Sequence, residues 1–344
     1  MSTSPRRVVV IYNTDFDAEL MAAGAELSSV KTAAISVCEG LNAAGIEAEL
    51  LGIQGPDLFE KLQVLAARKP DVVFNLCESL SGDARNEVAV PAVLDLFGLT
   101  YTGTDSLGLG LALHKHRTKD VLRGRGVATP PHRLLARPAD LEAADLRDLD
   151  YPWFLKLANE DASVGITADN VLRDHAGLVR RSRALFEEFK SPLLAERFVD
   201  GREVNVTILG SGADTEILPL HEIDFAAMPS DRPNIVSYAA KWDEKHVDYV
   251  GTKPVPMKGV SDALAAAIRT TARAAWDAVG LRDYGRVDLR IDRAGTPWVI
   301  DVNPNCDTSP DAGAARAAKA AGLDYPAFVA KIVTLAWRRT RGAA

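Results

Sequence analysis

Arg286-Val287-Asp288-Leu289-Arg290 alternates charged and apolar residues. On a strand, Arg286, Asp288 and Arg290 would share one face while Val287 and Leu289 turn to a core. Shortly after, Asp301-Val302-Asn303 repeats the pattern. Two such strands side by side would aim Asp288, Asp301 and Asn303 at one point. Two carboxylates and an amide oxygen are hard donors suited to magnesium, which completes its octahedron with water and phosphate oxygens. Taken singly, Asp288 or Asp301 reads as a solvated carboxylate on a half-exposed sheet. Three phased oxygens with Arg286 beside them favour the metal.

Basic side chains that could bracket a polyanion are spread along the chain at Lys115, Lys156 and Lys241. Lys156 follows the apolar run Trp153-Phe154-Leu155, and a buried ammonium is costly without an anion beside it. Lys115 and Lys241, read alone, are ordinary surface lysines. Glu160-Asp161-Ala162-Ser163-Val164-Gly165 is a short loop whose N–H groups could cover phosphates, though its acidic pair makes it weaker than a glycine-rich loop. Leu193-Leu194-Ala195 runs into Glu196-Arg197-Phe198-Val199, and Gly201-Arg202-Glu203 follows. A backbone edge of this kind can read an adenine, and a carboxylate can accept from ribose hydroxyls. Glu196 and Glu203 fit those jobs, although each alone is an edge charge. His114 and His116 read as solvent-exposed, His221 as a satisfied structural histidine and Cys77 as a small buried residue. Cys306 has no histidine near it in sequence to make it a nucleophile.

The elements that must position these groups follow from periodicity. Over the first ~120 residues, apolar runs at Val8–Tyr12, Ala48–Leu51 and Val72–Leu76 alternate with helical patterns, the mark of βαβ units on a parallel sheet. The helical patterns cover Ser29–Ala44, Glu87–Phe97 and Leu107–Arg123. Thr129-Pro130-Pro131 cannot continue a helix and reads as a linker. A second module has strands at Trp153–Leu157, Leu193–Arg197 and Val204–Leu209 around a helix at Ala176–Phe189. A third has strands at Glu216–Leu220, Arg286–Ile291 and Trp298–Val302. Its helix from Ser261 to Val279 puts Leu264, Ile268, Ala272, Ala275 and Trp276 on one face, and helices near Ala312–Ala321 and Tyr325–Arg339 close the chain. Between Asp224 and Val255 lies an irregular stretch with Pro229, Pro233, Gly251 and Pro254; loops that long are functional or disordered.

The 344 residues suffice for two or three fused domains, and 47% hydrophobic with 25% charged residues is a globular balance. A net charge of −7 does not favour a nucleic-acid surface. Three scattered cysteines point to a reducing cytoplasm rather than a disulfide framework. Arg6 and Arg7 precede an apolar run, but Val8–Tyr12 is too short for the core of an export signal. No apolar stretch approaches membrane-spanning length.

The order of these features resembles the ATP-grasp superfamily, and within it the D-alanine–D-alanine ligase family, over essentially the whole chain. No single motif is specific; the series Lys156 and its loop, Glu196 with Glu203, Lys241, Arg286-Val287-Asp288, Asp301-Val302-Asn303 is. The resemblance implies an α/β ATP-grasp fold of three α/β domains: a Rossmann-like substrate domain with a parallel sheet over 1–125, a central subdomain over 126–210, and a metal- and substrate-binding domain over 211–344. It implies a ligase that uses ATP and two Mg2+ ions, for which Mn2+ can substitute, to join amino-acid substrates through an acyl phosphate. Lys115, Lys156 and Lys241 would contact phosphates, Glu196, Phe198 and Val199 would line adenine, and Glu203 would hold ribose. Asp288, Asp301 and Asn303 would hold the metal, Arg286 would stabilise developing charge, and Ser163 would orient substrate. Glu26 would bind the first substrate's amino group. A homodimer is implied by the resemblance alone.

The chain also departs from that family. Asp301 stands where the family has a glutamate, Ala162 replaces the first of two loop serines, and Trp242 replaces a tyrosine after the loop lysine. After Asn303 the run is Pro304-Asn305-Cys306-Asp307-Thr308-Ser309, and the position of the serine for the acceptor carboxylate falls near Ala312. Asn305 and Asp307 lie where the acceptor should bind; Asp307 either attracts an ammonium or caps the following helix. These changes sit on the amino-acid side, so the sequence points to retained ATP chemistry with altered substrates. The rivals are an authentic D-alanine–D-alanine ligase, an ATP-binding protein without turnover, and a phosphotransferase that stops at a phosphorylated product.

Overall fold

A computed structural model describes residues 4–15, 28–147, 149–160 and 163–342. Strand β1 (Arg7–Asn13) is the centre of a three-stranded parallel sheet, between β2 (Glu47–Ile53) and β3 (Val72–Asn75). Helix α1 (Ser29–Ala43) starts at Ser28, whose hydroxyl accepts from the Lys31 N–H and so satisfies an orphan donor of the first turn. Helices α2 (Leu58–Arg68) and α3 (Ala89–Leu96) pack Leu62, Leu65 and Leu94 against the opposite sheet face. The expected helix from Glu87 starts instead as a tight 3-10 turn, Ala84–Val88, before α3.

The pattern that predicts one helix over Leu107–Arg123 is broken in two. Helices α4 (Ser106–Leu113) and α5 (Lys115–Gly124) are separated by His114, at φ −87° and ψ 77°. The Lys115 N–H donates to the Ala158 carbonyl (3.1 Å) and so leaves the helix ladder. That break makes Lys115 the first residue of a new helix.

Strands β4 (His132–Leu135), β5 (Trp153–Leu157) and β6 (Val171–Leu172) join β7 (Leu193–Arg197) in a four-stranded antiparallel sheet, order β4-β7-β5-β6. Helix α6 (His175–Phe189) covers it through Leu178, Leu185 and Phe186. The third sheet has six strands. Its path is β11 (Lys253–Pro256), β10 (His221–Asp224), β8 (Arg202–Gly210), β12 (Asp283–Ile291), β13 (Pro297–Asn303), with β9 (Glu216–Ile217) beside β8. The strand expected at Val204–Leu209 therefore pairs with the third sheet and not the second. The strand expected over Glu216–Leu220 is only the two residues of β9.

The long segment after Asp224 is ordered, with short helices α7 (Tyr238–Trp242) and α8 (Val247–Val250) ahead of β11. It carries its own buried brace: Asp248 accepts from the Ser237 hydroxyl (2.7 Å) and pairs with Arg232 (2.5 Å). Helix α9 (Asp262–Val279) buries Ile268, Ala272, Ala275 and Trp276 as its period requires, and stops at Gly280 in the left-handed conformation. Helices α10 (Gly313–Ala320) and α11 (Tyr325–Gly342) return to the first sheet, where Phe328, Val329 and Ile332 meet α1 and β1 in one core. Among the described residues no helix is long and apolar enough to cross a membrane.

Candidate active site

Strands β12 and β13 pair antiparallel with Asp288 opposite Asp301 and Arg286 opposite Asn303, which is the juxtaposition the alternation predicts. Asp288 accepts a two-pronged bond from Arg286, Nε to Oδ1 at 2.7 Å and Nη2 to Oδ2 at 2.9 Å. Asn303 donates to the same carboxylate at 3.0 Å and Asn205, across from it on β8, at 2.8 Å. Two carboxylates facing each other across a strand pair repel unless cations accompany them. Arg286 does this for Asp288, and Lys115 does it for Asp301, 3.4 Å away. Burial raises the Asp301 carboxyl, but Lys115, Lys156 and Lys119 together outweigh it and hold the group below its ordinary range. Burial lowers the Arg286 guanidinium, but Asp288 outweighs it and raises the group above its ordinary value.

Among the described residues no group of three or more His, Cys, Asp or Glu gathers as a metal site. The candidate set is two carboxylates and an amide, which fits a hard divalent cation that draws its other ligands from phosphate and water. Lys115 and Asp301 also line a small pocket with Lys119 and Ile300.

Register slips by one residue between Asp288/Asp301 and Leu289/Val299, so Ile300 is an extra residue in β13. Such a bulge leaves a carbonyl out of the ladder. The Ile300 carbonyl accepts from Lys156 Nζ at 3.0 Å, and Lys156 also reaches Glu196 Oε1 at 3.1 Å. Glu196 is 3% exposed, so its charge must be compensated. The second cation is Lys119, 2.6 Å from Oε2 and bonded to Thr129 Oγ1 at 2.9 Å. Burial pushes Glu196 up, yet Lys119 and Lys156 hold it net below the usual carboxylate range.

Sequence reasoning missed Lys119. Its signal was its place one helical turn after Lys115, on the same face of α5. Lys115 itself is 5% exposed and corrects the reading of a surface lysine. His114 and His116 are half-buried rather than exposed.

Replacing Glu196 by glutamine strands two buried ammonium groups, and a cost of about 3–5 kcal/mol is expected at neutral pH. Because the folded pKa of Glu196 is depressed, its contribution is present above the unfolded value. It is lost as pH falls through the folded one. Denaturant unfolding at stepped pH should show wild type and E196Q far apart near neutrality and converging only in strong acid. A constant gap into strong acid would contradict this account.

Phe198 stacks 6.4 Å from Phe154, and Val199 is buried beside it. The turn after them passes so close to β12 that a Cβ at Gly201 would sit 1.8 Å from the Ile291 carbonyl, so only glycine fits there. Glu203 lies opposite Arg290, 3.5 Å away, and burial raises its carboxyl. Lys241 is an exposed residue of α7 whose charge acts on Glu203. Ser163, at φ 62°, donates to the Val236 carbonyl (3.1 Å), and the Tyr238 N–H donates to Ile166 (3.0 Å). The short loop is thus fastened to the long segment.

The two residues expected at the acceptor have partners within the protein. Asn305 accepts from the Tyr284 hydroxyl (2.6 Å) and donates to the Cys77 carbonyl (3.2 Å), bracketing the third sheet to the first. Asp307 is exposed and accepts from the Ser309 N–H (2.8 Å) in a local turn, while α10 begins after Ala312 with no side-chain cap. It is therefore not the helix cap. Glu26, Asp161 and Ala162 lie outside the described residues. Burial pushes the Cys306 thiol up to about 12 and the Cys77 thiol further, so neither is a ready thiolate. His221 is buried with Nδ1 3.0 Å from the Pro219 carbonyl.

The family model for the C-terminus of D-ala D-ala ligase matches residues 122–334. A D-alanine–D-alanine ligase of Chromohalobacter salexigens is 30% identical over 334 residues, 95% of this chain and 93% of that one. An uncharacterized protein, y4sG, of Sinorhizobium fredii is 33% identical over 277 residues, 80% of this chain and 77% of that one. The D-alanine–D-alanine ligase from Bacillus anthracis, solved in complex with ATP, has the same fold at a TM-score of 0.76. It is 21% identical, with 98% of this chain and 100% of that one covered. The chain belongs to the D-alanine–D-alanine ligase family of ATP-grasp enzymes, which are ATP-dependent ligases that form a peptide bond.

Proposed function

We propose that the chain joins two small amino acids in an ATP- and magnesium-dependent reaction that runs through an acyl phosphate. One observation carries the reading: Asp288 and Asp301 face each other across β12 and β13, with Arg286 on the first, Lys115 on the second and Lys156 on the neighbouring Ile300 carbonyl. In this reading Asp288, Asp301 and Asn303 hold two magnesium ions. Bound there, magnesium supplies charge neutralisation to the transferring phosphoryl group. Lys115, Lys156 and Lys241 bind phosphate oxygens, Glu196, Phe198 and Val199 border the adenine, and Glu203 takes the ribose hydroxyls. The three sheets support domains close to 1–125, 126–210 and 211–344, with the second boundary drawn back to Asp200–Gly201 because β8 belongs to the third sheet.

The γ-phosphoryl group passes to a carboxylate oxygen of the first amino acid, releasing ADP and turning a poor electrophile into an acyl phosphate. The amine of the second then attacks the carbonyl carbon. A C–N bond forms, the amine gives up a proton and inorganic phosphate departs. Arg286 stabilises the oxyanion, and placing both reactants side by side is worth up to ~7–11 kcal/mol. Acyl phosphates hydrolyse, so the segment between β10 and β11 acts as a lid that keeps water out. Ser163 fastens that lid, and Glu26 is assigned the first amino group.

The names of the curated relatives favour D-alanine at both positions. A second reading, a different acceptor, is favoured by the commitment of Asn305 to Tyr284 and Cys77 and by the exposed Trp242. Hydroxylamine intercepts acyl phosphates, so ATP-dependent hydroxamate formation across D- and L-amino acids separates the two. Hydroxamate and a dipeptide from D-alanine alone support the first reading. Hydroxamate with D-alanine but product only with another amine supports the second. No ATP-dependent hydroxamate from any amino acid sinks the ligase proposal.

A further inference from the structure

Arg290 follows Arg286 and Asp288 on the same face of β12, yet it touches neither. It is 4% exposed, an uncommon place for a guanidinium without a full set of partners. Its shortest bonds run to the lid: Nη2 and Nη1 donate to the Asn234 carbonyl at 2.7 and 2.9 Å. Nη2 also reaches the Gly201 carbonyl at 3.1 Å, in the turn between β7 and β8. The planar cation lies 5.1 Å from the ring of Phe198 and 5.9 Å from that of Phe225, within cation–π range of both. Phe198 borders the proposed adenine edge, whereas Phe225 opens the lid.

The ion partner is held more loosely than the lid. Glu203 stands 3.5 Å from Nη1, and Arg290 Nε has no hydrogen-bond partner among the described residues. Burial lowers the Arg290 guanidinium more than Glu203 restores it, so the cation is incompletely compensated in this arrangement. A carboxylate at that distance can accept ribose hydroxyls and still close on the guanidinium. The lid carbonyls of Asn234 and Val236 are bonded by Arg290 of the third sheet and by Ser163 next to the second, respectively. Opening the lid breaks both.

We propose that Arg290 is a positioning residue that ties the closed lid to the nucleotide edge, making water exclusion depend on a seated nucleotide. This rests on the ligase reading above. Without the tie, the lid closes poorly over the acyl phosphate, which then reacts with water. ATP is consumed, but the phosphate departs to give the free acid and no C–N bond.

The test is the ratio of ADP released to C–N bond formed, measured in wild type, Arg290→Met, Arg290→Lys and Phe225→Ala with ATP, magnesium, the acid that hydroxylamine identifies and the amine that gives product with it. Wild type is expected to release one ADP per bond. Arg290→Met should release about threefold more or above, as expected when a lid no longer excludes water. Lysine should rescue only part of this, since it cannot straddle a carbonyl and stack on two rings. Phe225→Ala keeps the charge but loses the lid-side ring, so it should uncouple partially and carries the test if Arg290→Met does not fold. A ratio of one in both variants, however slow they are, overturns the proposal and leaves Arg290 a structural residue. If wild type itself releases no ADP in response to amino acids, the ligase reading fails first, and this inference falls with it.

Discussion

Asp301→Asn is expected to lower kcat by on the order of 10³-fold and to remove the dependence of nucleotide binding on magnesium. The substitution keeps the shape of the side chain but deletes one of the two charges that β12 and β13 bring together. It also deprives Lys115 of its anion. The stability cost should be about 1–3 kcal/mol, below that of a fully buried pair, because Asp301 retains 26% of its side-chain surface in water. The two effects separate experimentally. Calorimetric titration of ATP with and without magnesium reads the site, and denaturant unfolding reads the pair. Unchanged magnesium-dependent uptake of ATP in the folded variant would remove Asp301 from the metal site.

Arg286→Met should cut kcat by about 10²–10³-fold while KM for ATP moves little, since the side chain is assigned to charge that develops only during reaction. The geometry supports this division. Arg286 commits Nε and Nη2 to Asp288, and Nη1 takes no part in that fork. A lysine cannot hold Asp288 with two parallel bonds and present a third donor as well, so Arg286→Lys should recover little. Steady-state kinetics decide the matter. Equal losses in kcat and in kcat/KM support a transition-state role, whereas a rise in KM alone would make Arg286 a nucleotide anchor instead.

How far the site could be read from sequence depends on whether its parts are local. Alternation within five residues was enough to phase Arg286, Asp288 and Arg290. An ammonium at the end of an apolar strand was enough to demand an anion for Lys156, and Glu196 is there. The break at His114 was hidden, because the apolar period runs smoothly across it and the cause is a carbonyl at Ala158 far along the chain. Lys119 carried only its place one turn after Lys115; nothing near it announces that Glu196 will arrive from β7. Arg290 was phased correctly, but its bonds to Asn234 depend on where a proline-bearing segment folds back. The partners of Asn305 could not be read locally, since Tyr284 reaches it from β12 and Cys77 from the stretch just after β3. Short-range pattern sets which way a side chain points. Which partner waits there is decided by topology.

The extra residue in β13 has a consequence for how this strand can vary. Trp298 and Asp301 both lie opposite residues of the charged face of β12, and Val299 and Val302 opposite those of the apolar face, as they would if Ile300 were absent. The strand thus carries a letter that its side-chain rhythm does not need. What the insertion contributes is a main-chain oxygen, the one that meets Lys156. Almost any side chain can stand at position 300 without disturbing that contact, whereas losing the position altogether would silence it. A comparison that scores only residue identity would overlook the feature, and one that scores spacing would find it.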